Sequence, residues 1–274
     1  MPIIIPANSA AGGGGYEVTN SARFNPASND RLTRTPSSDG SRVKWTWSCW
    51  AKRGTDNQDL YLFGAYQNSS YNTFLKFASG GEIRFADVYG GSEQARINTL
   101  AKFRDPSAWY HIVVAFDSTK SKASDRTKIY LNGDHLTDFS SEQYVLQNTD
   151  VAINSNESHY LGKYGGGKND LTIKGFIDKV NFIDGIALSS SSFGEKNNYG
   201  KWEHIDYLGY YGANGFSLGF DDLTNIGKDK SGNENDWIQW DPENLQEFHK
   251  VIATEGYGNE SLLRQIIKLN LIFF

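Results

Sequence analysis

The chain has 274 residues and a net charge of −5 without a basic block, which argues against nucleic-acid binding through phosphate contacts. Its single cysteine, Cys49, excludes an internal disulfide, and no run reaches the ~20 apolar residues that a membrane-spanning helix needs. Aromatic residues make up 14% of the chain and glycine is frequent, so the composition favours strands joined by turns.

The first segment, residues 1–20, has the composition of a flexible arm, because an apolar start is followed by four consecutive glycines. Two interpretations stay open for this arm. It is disordered, as chain ends often are, or it docks on a neighbouring subunit with Ile3, Ile4 and Ile5 as the anchor.

Residues 21–190 consist of short apolar runs separated by turn residues, and no run has a convincing helical period. Alternation of apolar and polar residues, or β-branched runs, predict ten strands in this region. The predicted strands cover residues 21–26, 44–53, 59–66, 72–78, 82–89, 95–99, 109–117, 126–133, 159–164 and 174–185. Their spacing predicts an all-β antiparallel sandwich or jelly roll.

The predicted strand "KWTWSCWAKR" contains three tryptophans. Because side chains alternate along a strand, Trp45, Trp47, Cys49 and Ala51 are predicted to face the core. Trp50 lies on the opposite, polar side, where it is either exposed or covered by a further layer of the protein.

Four motifs follow one another along the chain: Trp50-Ala51-Lys52, Trp109-Tyr110-His111, Tyr130-Leu131-Asn132-Gly133 and the strand from Gly175 to Asp178. Together they resemble the landmarks of laminin-G-like domains, and this resemblance implies the concanavalin A-like lectin fold. The Asn-Gly pair also has a physical reason, since both positions of a tight hairpin turn need positive φ.

Three longer parts of the sequence narrow this resemblance. They are "GYEVTNSARFN" with "WTWSCWAKRG", then "GFIDKVNFIDGIALSSSSFG", and then "GYYGANGFSLGFDD" with "GKDKSGNENDW". They are similar to virion proteins of tailed bacteriophages, many from marine phages, that carry a laminin-G-like domain. The resemblance implies a non-enzymatic structural protein on the virion surface, either a head decoration or fibre protein or a tail-fibre component. Its partners would be capsid or tail proteins and further copies of the chain.

Two other functions stay open for a chain with this fold. One is a lectin module that binds a glycan on the host surface, for which the candidate contacts are Trp50, Tyr66, Tyr71 and Tyr89. The other is a polysaccharide-degrading enzyme, although no pair of carboxylates stands out among the 32 acidic residues.

The C-terminal part departs from the laminin-G-like order. In that family an Asp-x-Ser-Gly-Asn loop precedes the first apolar strand, whereas here the loop begins at Asp229, after the other landmarks. This order predicts a permuted sandwich over residues 21–240 that is closed by residues 214–240. The rival interpretation is that these residues open a second, incomplete domain.

Residues 241–274 are predicted to form an extension that ends in an amphipathic helix, with Ser261 as its N-cap. The helix either docks on its own domain or packs between subunits, since so dense an apolar stripe favours association when exposed. Its candidate assembly residues are Leu262, Leu263, Ile266, Ile267 and Leu271.

Two motifs of catalytic proteins occur without the context that they need. Ser217 lies in "GFSLG", but the alternating apolar residues around it predict a strand rather than a nucleophile elbow. The sequence "GKYGGGKN" nearly matches a phosphate-binding loop, but Asn169 replaces the hydroxyl that would bind Mg²⁺. The five histidines lack the spacing of a zinc site.

Calcium is the one metal for which the sequence offers candidate ligands, and no other cofactor is expected. Asp229, Asn233, Asn235 and Asp236 place side-chain oxygens around a glycine turn, which is the type of ligand that Ca²⁺ prefers. The alternative is an ordinary turn that is rich in Asp and Asn.

Overall fold

The computed structural model describes residues 20–55, 58–166, 172–222 and 224–239. Short 3₁₀ turns occur at Pro26–Ser28, Ala123–Asp125 and Ser190–Ser192. The strands of this part of the chain are β1 (Ala22–Phe24), β2 (Leu32–Arg34), β3 (Lys44–Arg53), β4 (Leu60–Asn68), β5 (Tyr71–Phe77), β6 (Ile83–Tyr89), β7 (Ser92–Thr99), β8 (Tyr110–Asp117), β9 (Thr127–Leu131), β10 (Asp134–His135), β11 (Phe139–Gln143), β12 (His159–Leu161), β13 (Gly175–Asp184), β14 (Gly194–Lys196), β15 (Trp202–His204), β16 (Phe216–Leu218) and β17 (Ile238–Gln239).

Two antiparallel sheets make up the sandwich. The first sheet has the order β1-β13-β3-β8-β9-β10, and β16 also pairs with β13. The second sheet has the order β11-β7-β6-β5-β4-β12-β2-β17, while β14 and β15 form a separate hairpin. The prediction of an all-β antiparallel sandwich is confirmed, and a strand overlaps each of the ten predicted segments.

Aromatic side chains fill the space between the sheets. Trp45 stacks on Phe116 with ring centroids 5.0 Å apart, and Trp47 stacks on Phe63 at 5.6 Å. These rings and Cys49 are buried in one apolar cluster, so the predicted core side of β3 is confirmed. Offset stacking of such rings adds roughly 0.5–1.5 kcal/mol per pair to the free energy gained by burying their area.

The hairpin of β9 and β10 turns at Asn132 and Gly133, whose φ angles are 46° and 92°. Positive φ at both positions matches the right-handed twist of the two strands, which explains the Asn-Gly pair of the motif. The side chain of Asn132 also accepts a hydrogen bond from the His111 N–H at 2.8 Å.

A buried carboxylate ties together the loops at one end of the sandwich. Asp184, at the end of β13, accepts hydrogen bonds from the Ser41 N–H at 2.8 Å, from Asn154 Nδ2 at 2.6 Å and from the Asn214 N–H at 3.2 Å. The Asp184 N–H in turn donates to the Tyr211 carbonyl at 2.8 Å. The segment before β16 is therefore held firmly against β13.

The two strands that lie within residues 214–240 belong to different sheets. The strand β16 pairs with β13 in the first sheet, and β17 pairs with β2 in the second. The predicted arm with Ile3, Ile4 and Ile5 lies outside the described residues. The predicted C-terminal helix, with the assembly residues Leu262, Leu263, Ile266, Ile267 and Leu271, lies outside them as well. Within the described ranges, no helix is long and apolar enough to cross a membrane.

Candidate functional site

The outer face of the first sheet is covered by residues 185–211. Phe193 of this segment packs against Val113 and Ile183 on the sheet, and Trp202 of β15 is only 6% exposed. The strands β3, β8 and β13 are therefore buried on both faces over most of their length.

A hydrogen-bonded aromatic cluster fastens this cover to the sheet. The indole N–H of Trp202 donates to His111 Nδ1 at 2.8 Å, and His111 Nε2 lies 2.9 Å from Ser48 Oγ. Because an indole nitrogen only donates, Nδ1 is the acceptor and the His111 proton is on Nε2. Burial lowers the pKa of His111 to about 3, so the ring is neutral at physiological pH.

Trp50 belongs to this cluster and not to the surface. Its ring stacks on His111 with centroids 5.0 Å apart, and its side chain is fully buried. The prediction that Trp50 contacts a glycan is wrong, because the ring has no exposed surface.

The three tyrosines that were predicted as glycan contacts do not form one platform. Tyr66 packs edge-on against Tyr164, with ring centroids 5.1 Å apart, and Tyr71 packs against the main core. The hydroxyl of Tyr71 accepts a hydrogen bond from the Arg42 guanidinium. Tyr89, the cross-strand partner of Tyr71, is 64% exposed and stays a predicted contact.

The predicted calcium loop is held together by its own hydrogen bonds. Asp229 Oδ1 accepts from the N–H groups of Ser217 and Ser231, both at 2.8 Å. Its Oδ2 accepts from Ser231 Oγ at 2.8 Å and from the Asn235 N–H at 2.9 Å. Two bonds at each oxygen use the lone pairs that a Ca²⁺ ion would need.

The other predicted ligands also form hydrogen bonds within the loop and to its neighbours. The amide groups of Asn233 and Asn235 donate to the carbonyl of Gly215, at 2.9 and 2.8 Å. Asp236 accepts from the Asp229 N–H at 2.9 Å and from the Lys228 ammonium at 3.1 Å. Among the described residues, no cluster of three or more His, Cys, Asp or Glu side chains is arranged to hold a metal. The geometry therefore favours the ordinary turn.

We expect Asp229→Ala to lower the free energy of unfolding by about 2–4 kcal/mol, because it leaves four partly buried donors without an acceptor. Chemical denaturation measures this loss, and Asp150→Ala, at an exposed carboxylate, is expected to cost much less. Calcium chloride is expected to leave the melting temperature of the unmodified protein unchanged. A calcium-dependent rise that disappears in Asp229→Ala would contradict this account of the loop.

A polar cleft of about 440 Å³ opens beside this loop, on the outer face of the first sheet. We call it the β13 pocket, and its lining includes Lys179, Asn181, His204, Tyr207, Tyr211 and Lys230. The rings of Tyr207 and Tyr211 meet edge to face with centroids 5.1 Å apart. The Tyr211 hydroxyl donates to Asn181 Oδ1 at 2.9 Å, which fixes the amide in the floor of the cleft.

A β-bulge places Lys179 in this pocket. The register of β13 against β3 shifts by one residue between Asp178 and Asn181, and Lys179 lies within the shift with φ at 48°. This left-handed conformation costs a residue with a side chain about 1–2 kcal/mol, and glycine usually occupies it. The Lys179 N–H donates to Asp178 Oδ1 at 2.7 Å, which helps to hold the bulge.

The charges of the β13 pocket are only partly paired. His204 Nε2 lies 2.9 Å from Asp206 Oδ1, and the Lys230 ammonium binds Asp221. Burial lowers the pKa of His204, and the hydrogen bond from His204 lowers the pKa of Asp206. Within the described part of the chain, the Lys179 ammonium forms no ion pair. Since Asp221 pairs with Lys230, the charges that remain in the lining are the Lys179 ammonium and the Asp206 carboxylate, and Asp206 is hydrogen-bonded to His204.

Sequence reasoning missed this pocket but placed one of its residues correctly. Ser217 lines it from β16, and the prediction that Ser217 lies in a strand is confirmed. Lys179 and Asn181 directly follow the Gly175–Asp178 motif, and Tyr207 lies in an aromatic stretch, but neither pattern reveals a cleft. Aromatic walls with a few fixed polar groups are typical of small-ligand sites, and the volume is in their range.

Residues 16–192 match the profile of a family described as the concanavalin A-like lectin/glucanases superfamily. The match ends before β15 and β16, which contribute to the β13 pocket. No curated protein sequence is similar enough to count as a relative.

Solved structures share the fold at low sequence identity. The heptameric SAP-like pentraxin from Limulus polyphemus aligns with a TM-score of 0.51 and 14% identity, over 83% of this chain and 94% of the pentraxin. A candidate carbohydrate-binding protein from Bacteroides ovatus aligns with a TM-score of 0.53 and 15% identity, over 81% of this chain and 58% of that protein. At these identities the likeness establishes the sandwich fold alone.

Proposed function

Because the chain belongs to the concanavalin A-like lectin/glucanases superfamily, we propose that it is a carbohydrate-binding module whose glycan site is the β13 pocket. The observation that carries this proposal is the lining of the pocket. Two tyrosine rings stand beside a fixed amide and a hydroxyl, from Asn181 and Ser217, which suits the apolar faces and hydroxyl groups of a sugar. The Bacteroides ovatus neighbour supports the proposal only through its fold.

Tyr207→Ala tests this site, because it removes one aromatic wall of the pocket. We expect the variant to bind a glycan at least tenfold more weakly, as measured by titration calorimetry with the strongest ligand from a glycan array. Tyr210→Ala is the matched control, since Tyr210 is 72% exposed and does not line the pocket. Equal affinities for the unmodified protein and both variants would place the glycan elsewhere.

We propose further that the module is displayed on the virion surface of a tailed bacteriophage. The support is the resemblance of the stretches around Trp45–Trp50, Gly175–Gly185 and Asp229–Trp237 to phage virion proteins. Immunogold electron microscopy with an antibody against residues 21–240 tests it. Gold over the head would identify a decoration protein, and gold on the tail would identify a fibre component. Unlabelled virions, with an antibody that binds the native fold, would contradict the proposal.

In this proposal the chain binds glycans without cleaving them. The support is that the lining of the β13 pocket includes one carboxylate, Asp206, whereas glycoside hydrolysis usually needs a pair of them. Incubation with a panel of polysaccharides, followed by chain-length analysis, tests this part. Shortening of a polysaccharide that stops when one carboxylate is substituted would identify an enzyme.

A further inference from the structure

We propose that the β13 pocket selects saccharides that bear a carboxylate, and that the Lys179 ammonium receives this carboxylate. The inference rests on the proposed glycan-binding function and names the class of sugar.

The backbone conformation of Lys179 is unusual for a residue with a side chain. Lys179 occupies a left-handed position, with φ at 48°, in the middle of a ten-residue strand. Glycine would adopt this conformation without strain and would still provide the N–H that donates to Asp178. A lysine at such a position carries backbone strain that glycine would avoid, which indicates a role for its side chain. Strained residues cluster at functional sites.

The Lys179 ammonium differs from the other cationic or titratable groups of the lining in its partners. Two cationic or titratable groups of the lining have acidic partners: Lys230 binds Asp221, and His204 faces Asp206. Lys179 is half-buried and forms no ion pair with any residue that the structure describes. The carboxylates of Asp206 and Asp221 act on this ammonium only at longer range, without an ion pair. A half-buried ammonium without an ion pair attracts an anion more strongly than an exposed one, because water screens it less.

The polar and aromatic groups that line the pocket with Lys179 suit a sugar ring. Asn181 lies two residues from Lys179 on the same strand, and Ser217 stands opposite Asn181 in the register of β16. Their amide and hydroxyl groups suit the hydroxyl groups of a sugar ring, while the edge-to-face pair of Tyr207 and Tyr211 suits its apolar face. An anion that also carries several hydroxyl groups and an apolar face is an acidic saccharide.

Matched probes that differ in one charge test the inference. Titration calorimetry would compare oligogalacturonate with its methyl ester, and sialyllactose with its methyl ester. We expect at least one acid to bind the unmodified full chain at least tenfold more tightly than its ester. The two pairs distinguish uronic from sialic acids. The preference is expected to fall as salt is added.

Variants at Lys179 separate charge from folding. Lys179→Gln and Lys179→Gly are both expected to remove the preference for the acid. Lys179→Gly is also expected to keep or raise the melting temperature, because it relieves the left-handed strain. Lys122→Gln is the control, since Lys122 is exposed and lies outside the pocket.

The possible failures are distinguishable. If neutral glycans bind in the pocket and the acids gain no preference, the inference is wrong while the glycan-binding function stands. A preference for acids that survives in both Lys179 variants would also overturn it. If no glycan on an array or in these titrations binds, the proposed function itself fails.

Discussion

Trp202→Ala is expected to lower the free energy of unfolding by about 3–5 kcal/mol, the range for loss of a large buried aromatic side chain. The ring fits between two glycines, since a Cβ at Gly133 or Gly194 would lie 2.3 or 2.5 Å from it. The substitution also leaves His111 Nδ1 buried without its donor. Urea denaturation measures the loss.

Trp202→Phe separates packing from the hydrogen bond. This variant keeps most of the ring and loses the N–H, so an intermediate loss of about 1–3 kcal/mol is expected. Tyr199→Ala is the control, because Tyr199 is 94% exposed between the two strands of the same hairpin. If Trp202→Ala lowered the free energy of unfolding no more than Tyr199→Ala does, the hairpin would not stabilise the sandwich. Since β15 also carries His204, Trp202→Ala should weaken glycan binding in the β13 pocket.

Acid is expected to unfold the protein through two buried histidines. Burial lowers the pKa of His111 from 6.5 to about 3 and that of His159 from 6.5 to about 4. Both rings are neutral in the folded state. Their contribution to the free energy of unfolding is therefore fully present above pH 6.5, the unfolded pKa, and is lost as the pH falls from there through the folded pKa values. The loss is roughly 5 kcal/mol for His111 and roughly 3 kcal/mol for His159.

One buried carboxyl has the opposite effect. Burial raises the pKa of Asp87 from 3.8 to about 6, so its protonation in the folded state adds roughly 3 kcal/mol as the pH falls from about 6 to about 4. The two histidines outweigh this gain, and the net free energy of unfolding should fall below pH 6. Asp87→Asn should therefore make the acid-induced loss steeper.

Direct titration of the imidazole rings tests this account. The NMR signals of His111 should show a neutral ring with its proton on Nε2 down to about pH 4. An exposed histidine would titrate near pH 6.5. His111→Gln, which has no titrating group, should lose less stability on acidification. Titration of His111 near pH 6.5 in the folded protein would refute the proposed role of burial.

The long strands were predictable from the sequence because their apolar residues repeat with a strand period over many positions. The strand β3 lies at Lys44–Arg53, the same bounds that the pattern predicts. Short strands such as β2 at Leu32–Arg34 were not predicted, because three residues carry no period and pair only where a neighbour is present. The turn at Asn132 and Gly133 was predictable, since its chemistry is local.

The sequence left open whether the polar side of β3 is exposed or covered, and it could not show which residues cover it. Alternation placed Trp50 opposite the core, but it belongs to a cluster with His111 and Trp202, which lie about 60 and 150 positions later in the chain. The sequence therefore gave a reason to expect an aromatic platform where the fold forms a closed cluster.

The β13 pocket was not predictable for a related reason. It needs a bulge at Lys179, and a left-handed lysine leaves no mark in the sequence because glycine, the usual sign of such a bulge, is absent. Its walls come from β13, β16 and the segment that contains Tyr207, which meet only in the folded chain. The carboxylates of the predicted calcium loop were identified correctly as a turn cluster, but their partners are donors of the chain itself.

The measurement that tests the central claim most directly is NMR shift mapping of the ¹⁵N-labelled full chain with the strongest ligand from a glycan array. The account predicts shift changes at Lys179, Asn181, Ser217 and Tyr211, around the β13 pocket. Changes confined to Tyr66, Tyr71 and Tyr89, with the β13 pocket unaffected, would contradict it and would place glycan binding on the second sheet.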